Sequence, residues 1–320
     1  MAALLKSLIV IICVSILLIS FFLYPPLPYK GVEMVTIKPG MNARDVAALL
    51  KEKGLISSEK IFLYLLKLND KETKLVSGLF DIPRGLRVDA LVRFIFETKP
   101  KTVWVTIPEG FNSREIAERL EVNGVISREE FLDALNREIK DDYPSFIRPP
   151  YEGFLFPDTY EFYIESTPEA VIKKFLDRFV AVLPEDFEEK AKNLGLTPRE
   201  AIILASLIEK EARIDEERPV IAQVLLKRLN IGMKLQCDAT VQYALGKSKP
   251  ILSYDDLKVK SPYNTYLYYG LPPGPICNPG LPSIISAVNP ADTDYLFYFT
   301  RGDGVHIFSR TYEEHLRSQR

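Results

Sequence analysis

The chain has 320 residues, 47% of them hydrophobic, and it carries 41 Lys and Arg against 43 Asp and Glu for a net charge of −2. The apolar content excludes a disordered chain, and the length predicts about two domains. Because positive charge is not in excess, we expect no nucleic-acid partner. Three cysteines without CxxC spacing and only two histidines leave little material for a zinc ribbon or a His-rich metal site.

The first predicted element is a membrane helix over residues 7–24, an uncharged apolar run without Gly or Pro. A helix of this length spans about 27 Å, close to the roughly 30 Å of a bilayer core. A cleaved signal peptide is the alternative, but its apolar core would be shorter and a small-x-small cleavage site should follow. We therefore predict a single-pass protein of the inner cell membrane, with residues 1–6 in the cytoplasm and the body outside it. Cys237 and Cys277 would then lie in an oxidising compartment, and the sequence leaves open whether they pair.

A sequence repeat with an offset of 70 residues follows, in which 12 of 25 aligned positions starting at Val35 and Val105 are identical. Each copy predicts a strand, a Gly turn, a helix, a Gly that ends it and a second helix. Asn42 and Asn112 are predicted to cap the first helix of each copy. Ser57 and Ser127 are predicted to cap the second, with Ser127 in a full capping box.

The repeats have two interpretations that the sequence leaves open. They bind polysaccharide, with Trp104, Phe111 or Tyr151 covering the apolar faces of sugar rings. Alternatively, these aromatic residues belong to the core, and the repeats only hold the next domain away from the membrane. We assign residues 25–100 to a membrane-proximal spacer module and residues 101–150 to a second module of the same kind.

The last predicted domain covers residues 151–320. Helical periodicity predicts helices over 168–181, 185–193, 198–213 and 217–229. Thr197 and Pro198 give the third of these helices a strong start, with Thr as N-cap and Pro at the first helical position. A hairpin is predicted near the C-terminus. His306 lies in this hairpin, and we expect it to be structural or at the surface rather than a ligand. The whole chain is predicted to be α+β.

One acidic residue stands out on the helix that starts at Pro198. The apolar stripe of this helix includes Ile202 and Ala205, and the helical spacing places Glu209 on the same stripe. Burial disfavours an ionised carboxylate, and a general acid must carry a proton. The alternative is that Glu209 ends an ordinary stripe and pairs with an arginine such as Arg213 or Arg218.

Three polar and aromatic clusters, at residues 235–243, 261–266 and 270–280, could supply a sugar-binding cleft. Each cluster alone is also compatible with plain turns. The sequence contains no Walker loop, GxSxG elbow, HExxH motif or GxGxxG motif after a strand. Other common hydrolase, protease and nucleotide-binding chemistries are therefore disfavoured.

Five motifs occur in order along the chain. They are Glu152-Gly153 with Phe156-Pro157-Asp158-Thr159-Tyr160, Ala205-Ser206-Leu207-Ile208-Glu209-Lys210-Glu211, Leu235-Gln236 with Asp238-Ala239-Thr240-Val241, Asn264-Thr265-Tyr266, and Gly270-Leu271-Pro272-Pro273-Gly274. Together they resemble the bacterial endolytic murein transglycosylase, or YceG-like, family. The resemblance covers nearly the whole chain. It implies a membrane anchor, a LysM-like module at the second repeat and an α+β catalytic domain.

The resemblance also implies roles for individual residues. Glu209 corresponds to a catalytic glutamate that protonates the glycosidic oxygen between N-acetylmuramic acid and N-acetylglucosamine. It then acts as base while the sugar's own 6-hydroxyl attacks C1, which leaves a 1,6-anhydro end. No second carboxylate is required, and Asp238 is the nearest candidate for one. The substrate-binding residues are expected to be Gln236, Asp238, Thr240, Asn264 and Tyr266. Cys237 departs from the family pattern, where a polar residue is usual.

The predicted activity is internal cleavage of nascent peptidoglycan strands close to the membrane, which ends strand elongation and needs no metal or cofactor. The expected partners are glycan strands and cell-wall synthases of the penicillin-binding class. A non-catalytic peptidoglycan-binding scaffold that recruits these synthases is the alternative. A hydrolase, which leaves reducing ends in place of anhydro ends, is a third possibility.

Overall fold

The structure is a computed structural model that describes residues 12, 23–26, 29–69, 75–247, 249, 251–300 and 304–320. It combines helices with small two-stranded sheets, so the predicted α+β class is confirmed. The predicted membrane helix over residues 7–24 lies almost wholly outside the described residues. Within the described part of the chain, no helix has both the length and the apolar character needed to cross a bilayer.

The chain divides into two compact units. The first contains Met1–Trp104, Glu121–Ile126 and Glu161–Thr167, and the second contains Val105–Leu120, Ser127–Tyr160 and Pro168–Arg320. This division follows spatial contacts and not the repeat boundaries. The predicted modules at residues 25–100 and 101–150 and their LysM-like character stay predictions.

The first unit is built on an antiparallel pair of strands. Strand β1 (Val32–Ile37) pairs with β2 (Gly78–Pro83), with Val35 opposite Phe80. The helices of this unit are α1 (Ala43–Glu52), α2 (Glu59–Leu68) and α3 (Val88–Glu97). Their inward side chains and those of the two strands form one apolar core.

The second repeat copy has the same order of elements. Strand β3 (Thr102–Thr106) is followed by α4 (Ser113–Val122) and α5 (Arg128–Ala134), and it pairs with β4 (Thr159–Tyr163). In both copies the first strand therefore pairs with a strand that comes after the second helix. The repeat predicted as β-α-α is completed in the fold as β-α-α-β.

The helix caps agree with the sequence at three of four positions. Asn42 and Asn112 both accept hydrogen bonds from backbone N–H groups of the helices that follow them. Ser127 caps α5 by accepting from the N–H of Glu130. The prediction for Ser57 is wrong, because the N-cap of α2 is Ser58 and the Ser57 hydroxyl instead donates to the carbonyl oxygen of Tyr24 at 2.6 Å.

The three aromatic residues considered for sugar binding have different surroundings. Tyr151 is 1% exposed, and its hydroxyl accepts the N–H of Ile139, so it belongs to the core. Phe111 is half-buried beside the guanidinium of Arg119. Trp104 is 65% exposed. A glycan-contacting role in the repeats therefore stays a prediction that rests mainly on Trp104.

The second unit is mostly helical. Its further elements are α6 (Pro168–Val182), α7 (Phe187–Asn193), α8 (Pro198–Glu211), α9 (Arg218–Asn230), α10 (Asp238–Leu245), α11 (Leu281–Val288), β5 (Phe297–Thr300), β6 (His306–Ser309) and α12 (Tyr312–Ser318). Short 3-10 turns lie at Asp215–Glu217 and Asp256–Lys258. Strands β5 and β6 pair in antiparallel fashion, which confirms the predicted hairpin strands. Residues 301–303, in the turn of this hairpin, lie outside the described residues.

Helix α8 is the centre of the second unit. It contacts α7, α9, α10 and α11, and every residue from Ala201 to Ile208 is buried. Thr197 and Glu200 form the expected capping box at its start. The helix ends at Glu211 and not near Arg213, because Ala212 adopts extended backbone angles.

A buried amide joins three segments of the second unit. The side chain of Asn278 is fully buried. Its oxygen accepts from the N–H groups of Gly153 and Leu155 at 2.8 and 2.9 Å. Its nitrogen donates to the carbonyl of Phe111 and the carboxylate of Glu152 at 3.0 and 2.9 Å. All four hydrogen-bonding positions of the amide are thus used.

Replacing this amide is expected to destabilise the protein strongly. Asn278→Ala leaves several buried polar groups without their partner, so the free energy of unfolding should fall by about 3 kcal/mol in urea denaturation followed by circular dichroism. Asn289 is the matched control, because it is exposed and its amide makes one bond to the carbonyl of Ile285. Equal losses for Asn278→Ala and Asn289→Ala would contradict this account.

Candidate active site

A polar cavity of about 520 Å³ opens beside Glu211, the last residue of α8. Three of the predicted site residues, Gln236, Asp238 and Tyr266, line it together with Glu211. The other lining residues are Arg228, Phe297, Tyr298, Phe299, Thr300, His306, Tyr312, His315 and Gln319. Aromatic rings beside a few polar and charged groups are suited to binding a sugar.

This cavity shares lining residues with two further pockets. Asp238 and Tyr266 also line a pocket of about 480 Å³ that extends to Tyr254. Phe299 and Gln319 also line a pocket of about 600 Å³ that extends toward the C-terminus. We refer to the three together as the groove. Glu211 lines the pocket that shares residues with both of the others.

Glu211 has the properties of a general acid. Tyr298 donates a hydrogen bond from its hydroxyl to the Glu211 carboxylate at 3.1 Å. Burial raises the pKa of Glu211 to about 7, although Tyr298, the Arg228 charge and the neighbouring thiol of Cys237 favour the carboxylate. A carboxyl group with this pKa carries a proton in a large fraction of molecules near neutral pH, and it can lose that proton during a reaction.

Glu209 has a different environment. As predicted, it lies on the buried side of the helix, and its side chain is only 7% exposed. Its carboxylate accepts from the hydroxyl of Ser283 at 2.8 Å, the N–H of Gly280 at 3.1 Å and the guanidinium of Arg218 at 3.3 Å. The structure therefore has the arginine pair that the sequence left open as the alternative. Glu209 is absent from the residues that line the groove, and its catalytic role stays a prediction.

A second acid does lie near Glu209, and the sequence did not indicate it. Glu109 precedes α4, and its carboxylate lies against Gly280, where an added Cβ would be only 2.0 Å from the Glu109 oxygen. Burial and the Glu209 charge raise the pKa of Glu109, and Arg218 opposes them. The one available signal was the repeat itself, because Glu109 aligns with Pro39 where the two copies differ.

Two of the predicted binding residues support loops and do not line the groove. Asn264 is fully buried, and its amide donates to the carbonyls of Leu257 and Val259 and accepts from the N–H of Tyr266. Thr240 is also fully buried, and its hydroxyl bonds to the carbonyl of Cys237 and the hydroxyl of Thr265. Their side chains therefore fix the positions of Gln236 and Tyr266.

The other predicted residues face the groove. The hydroxyl of Tyr266 donates to the carboxylate of Asp238, so these two side chains act as one wall. Gln236 has a φ of 54°, a conformation that is uncommon for a residue other than glycine. Its N–H donates to the carbonyl of Thr265 at 3.2 Å, which holds the backbone in place. Strained backbone of this kind is typical of binding sites.

The structure also defines the surroundings of Cys237, Cys277 and His306. Cys237 and Cys277 are both buried and carry free thiols, so they do not pair. Burial raises the pKa of each thiol well above its usual range. His306 lines the groove, which the sequence did not predict. Among the described residues, no group of three or more His, Cys, Asp or Glu side chains could hold a metal ion.

Comparison with known proteins agrees with the motifs. The model of the YceG-like family matches residues 35–320. The chain belongs to the YceG-like family. The resemblance indicated by the five motifs is thereby confirmed.

Similar members of the family come from several bacteria. A protein of Bacillus subtilis named endolytic murein transglycosylase is 32% identical over 306 residues, which cover 91% of this chain and 84% of that protein. A protein of the same name from Streptococcus pneumoniae is 28% identical, and the match covers 90% of this chain but only 58% of that longer protein. The crystal structure of a yceG-like protein from Listeria monocytogenes superposes with a TM-score of 0.59 at 30% identity, covering 90% of this chain and 99% of that one.

The hydrogen bond from Tyr298 gives a direct test of the Glu211 environment. Tyr298→Phe removes a donor that stabilises the carboxylate, so the pKa of Glu211 should rise above its wild-type value. Carbon-13 NMR of labelled glutamate side chains measures this pKa, and the spectrum of Glu211→Gln assigns the signal. Tyr269→Phe is the control, because Tyr269 is 70% exposed. An unchanged or lowered pKa in Tyr298→Phe would contradict the assigned hydrogen bond.

Proposed function

We propose that this chain is an endolytic murein transglycosylase, which cleaves the bond between N-acetylmuramic acid and N-acetylglucosamine within peptidoglycan strands and leaves 1,6-anhydro ends. Membership of the YceG-like family and the activity named for the relatives support this proposal. The observation that supports it most is the Glu211 carboxyl, with a pKa of about 7, in the wall of the polar groove.

We assign the acid role to Glu211 in preference to Glu209. A general acid must reach the glycosidic oxygen, and Glu211 faces the groove. The Glu209 carboxylate accepts hydrogen bonds from Arg218 and Ser283, and Glu209 is not among the residues that line the groove. The two glutamates are separated by one residue, so the family motif alone does not distinguish them.

The reaction needs one protein carboxyl group. Glu211 gives its proton to the glycosidic oxygen as the bond from that oxygen to C1 breaks. The resulting carboxylate then takes the proton of the 6-hydroxyl as O6 bonds to C1, and no water is consumed. The usual pair of glycosidase carboxylates is therefore unnecessary. Asp238, the nearest second acid in the groove, is engaged by the hydroxyl of Tyr266.

The shape of the groove supports internal cleavage. The pockets that share residues with the Glu211 cavity extend its lining to Tyr254 in one case and to Arg320 in the other. We infer that a linear polymer lies along these connected pockets with sugar units on either side of the cleaved bond.

The location of the activity follows from the N-terminal sequence. We propose that residues 7–24 anchor the chain in the inner membrane, with its body outside the cytoplasm. Cleavage would then occur close to the membrane on nascent strands, where cell-wall synthases of the penicillin-binding class work, and it would end elongation. The repeats would set the distance between the cut and the bilayer. Cleavage of the body by added protease in intact spheroplasts tests this orientation, and full protection would contradict it.

The variants Glu211→Gln and Glu209→Gln form a matched pair that tests the mechanism. Glu211→Gln should lower the rate of anhydro-end formation by about 10³-fold and leave the melting temperature unchanged. Glu209→Gln should retain cleavage but lose about 3 kcal/mol of stability, because it breaks a buried ion pair. The full-length protein in detergent is incubated with purified glycan strands, and mass spectrometry quantifies the anhydro and reducing ends that are formed.

The same spectra separate the alternatives. If Glu211→Gln cleaves at the wild-type rate while Glu209→Gln is folded but inactive, Glu209 is the general acid. Intact strands that stay bound to the wild-type protein would favour the scaffold. Reducing ends that carry an added water would favour a hydrolase.

A further inference from the structure

Both histidines of the chain line the groove near Glu211. One of them, His306, is held by a buried carboxylate. Its ring atom Nδ1 is 2.6 Å from one oxygen of Glu217, and its backbone N–H donates to the other oxygen at 2.8 Å. The side chains of His306 and Glu217 are only 6% and 9% exposed. The Glu217 carboxylate therefore fixes both the backbone and the ring of His306.

The pairing determines which ring nitrogen carries the proton. A carboxylate only accepts hydrogen bonds, so Nδ1 of His306 is the donor. In the neutral imidazole, Nε2 is then the acceptor. Nδ1 is occupied by Glu217, and His306 is one of the residues that line the groove.

His306 is linked to Glu211 through Tyr298. The Tyr298 hydroxyl donates to the Glu211 carboxylate, while the Tyr298 ring meets the His306 ring edge to face, with 5.4 Å between the centroids. Glu211 and His306 thus both contact Tyr298, and both line the same cavity.

We propose that Nε2 of His306 binds the 6-hydroxyl of the muramic acid unit being cleaved, and that Glu217 is the positioning residue that sets the tautomer of His306. The inference rests on the proposed transglycosylase function. His306 accepts the hydrogen bond of the hydroxyl and aims O6 at C1. When O6 bonds to C1, the hydroxyl proton passes first to Nε2 and then to the Glu211 carboxylate, so both groups end the reaction in their starting forms.

Holding the attacking hydroxyl has a specific consequence. The choice between an anhydro end and a hydrolysed end depends on whether O6 or a water molecule reaches C1 first. A well-placed hydroxyl has a large advantage over bulk water, because its attack is intramolecular. The Glu217–His306 pair therefore determines the type of product as well as the rate.

Glu217→Gln tests the proposal with a minimal change of shape. The amide oxygen can still accept the N–H of His306, but the amide nitrogen donates to Nδ1 and so moves the ring proton to Nε2. The imidazole remains in place, but its Nε2 then donates a hydrogen bond instead of accepting one. We expect kcat to fall by about 10²-fold with KM nearly unchanged, and the share of reducing ends to rise. His306→Ala should give the same product change.

Controls separate this role from a purely structural one. Glu216→Gln is the matched control, because Glu216 is exposed in the same 3-10 turn, and it should behave as wild type. A folded Glu217→Gln with wild-type kcat and product ratio would overturn the proposal, as would a folded His306→Ala with wild-type products if Glu217→Gln does not fold. Glu211→Gln is measured in parallel. If it retains activity, the proposed mechanism fails; if it is inactive while the His306 and Glu217 variants are normal, only the present inference fails.

Discussion

The burial of helix α8 on all of its faces is the constraint on which the rest of the second unit depends. Eight consecutive residues, from Ala201 to Ile208, are out of contact with solvent. The four helices around α8 therefore fix its position and rotation. Successive residues on a helix are about 100° apart, so Glu209 and Glu211 point in nearly opposite directions. The same rigid helix thus places one carboxylate in an ion pair and the other in the groove.

These two environments explain why neighbouring acids have different properties. Glu209 receives hydrogen bonds from three donors, one of them a guanidinium, which compensate its burial. Glu211 receives one from Tyr298, and burial dominates and raises its pKa to about 7. Glu109 near the first acid and the Glu217–His306 pair near the second extend both clusters. Each side of α8 thus has its own set of polar groups, and the set around Glu211 faces the groove.

Much of the fold was predictable from local patterns. The bounds of α6 agree with periodicity to within one residue, and the start of α8 agrees with its predicted cap. The repeat predicted two copies of the same order of elements. These features depend on neighbours in sequence. Which acid of the Glu209-Lys210-Glu211 motif faces the groove is not predictable from such local patterns. A stripe identifies the buried face of a helix that is exposed on its other side. On a helix that is buried all round, periodicity does not indicate which acid meets solvent.

The same limit applies to the polar residues around the site. Asn264 and Thr240 lie in motifs with Tyr266 and Gln236, but Asn264 bonds within its own loop and Thr240, on α10, bonds to Thr265. Which polar side chain supports a loop and which faces the substrate depends on partners distant in sequence. His306, in contrast, lines the groove although the sequence did not predict it. A lone histidine in a hairpin gave no signal, since its partner Glu217 is 89 residues away.

Glu211 is proposed to protonate the cleaved bond, and a crystal structure of the Glu211→Gln variant with a bound glycan oligomer tests this role. The amide of residue 211 is expected to lie about 3 Å from a glycosidic oxygen, with sugar units on both sides along the groove. A strand that instead lies with its glycosidic oxygen against Glu209, on the other side of α8, would contradict it.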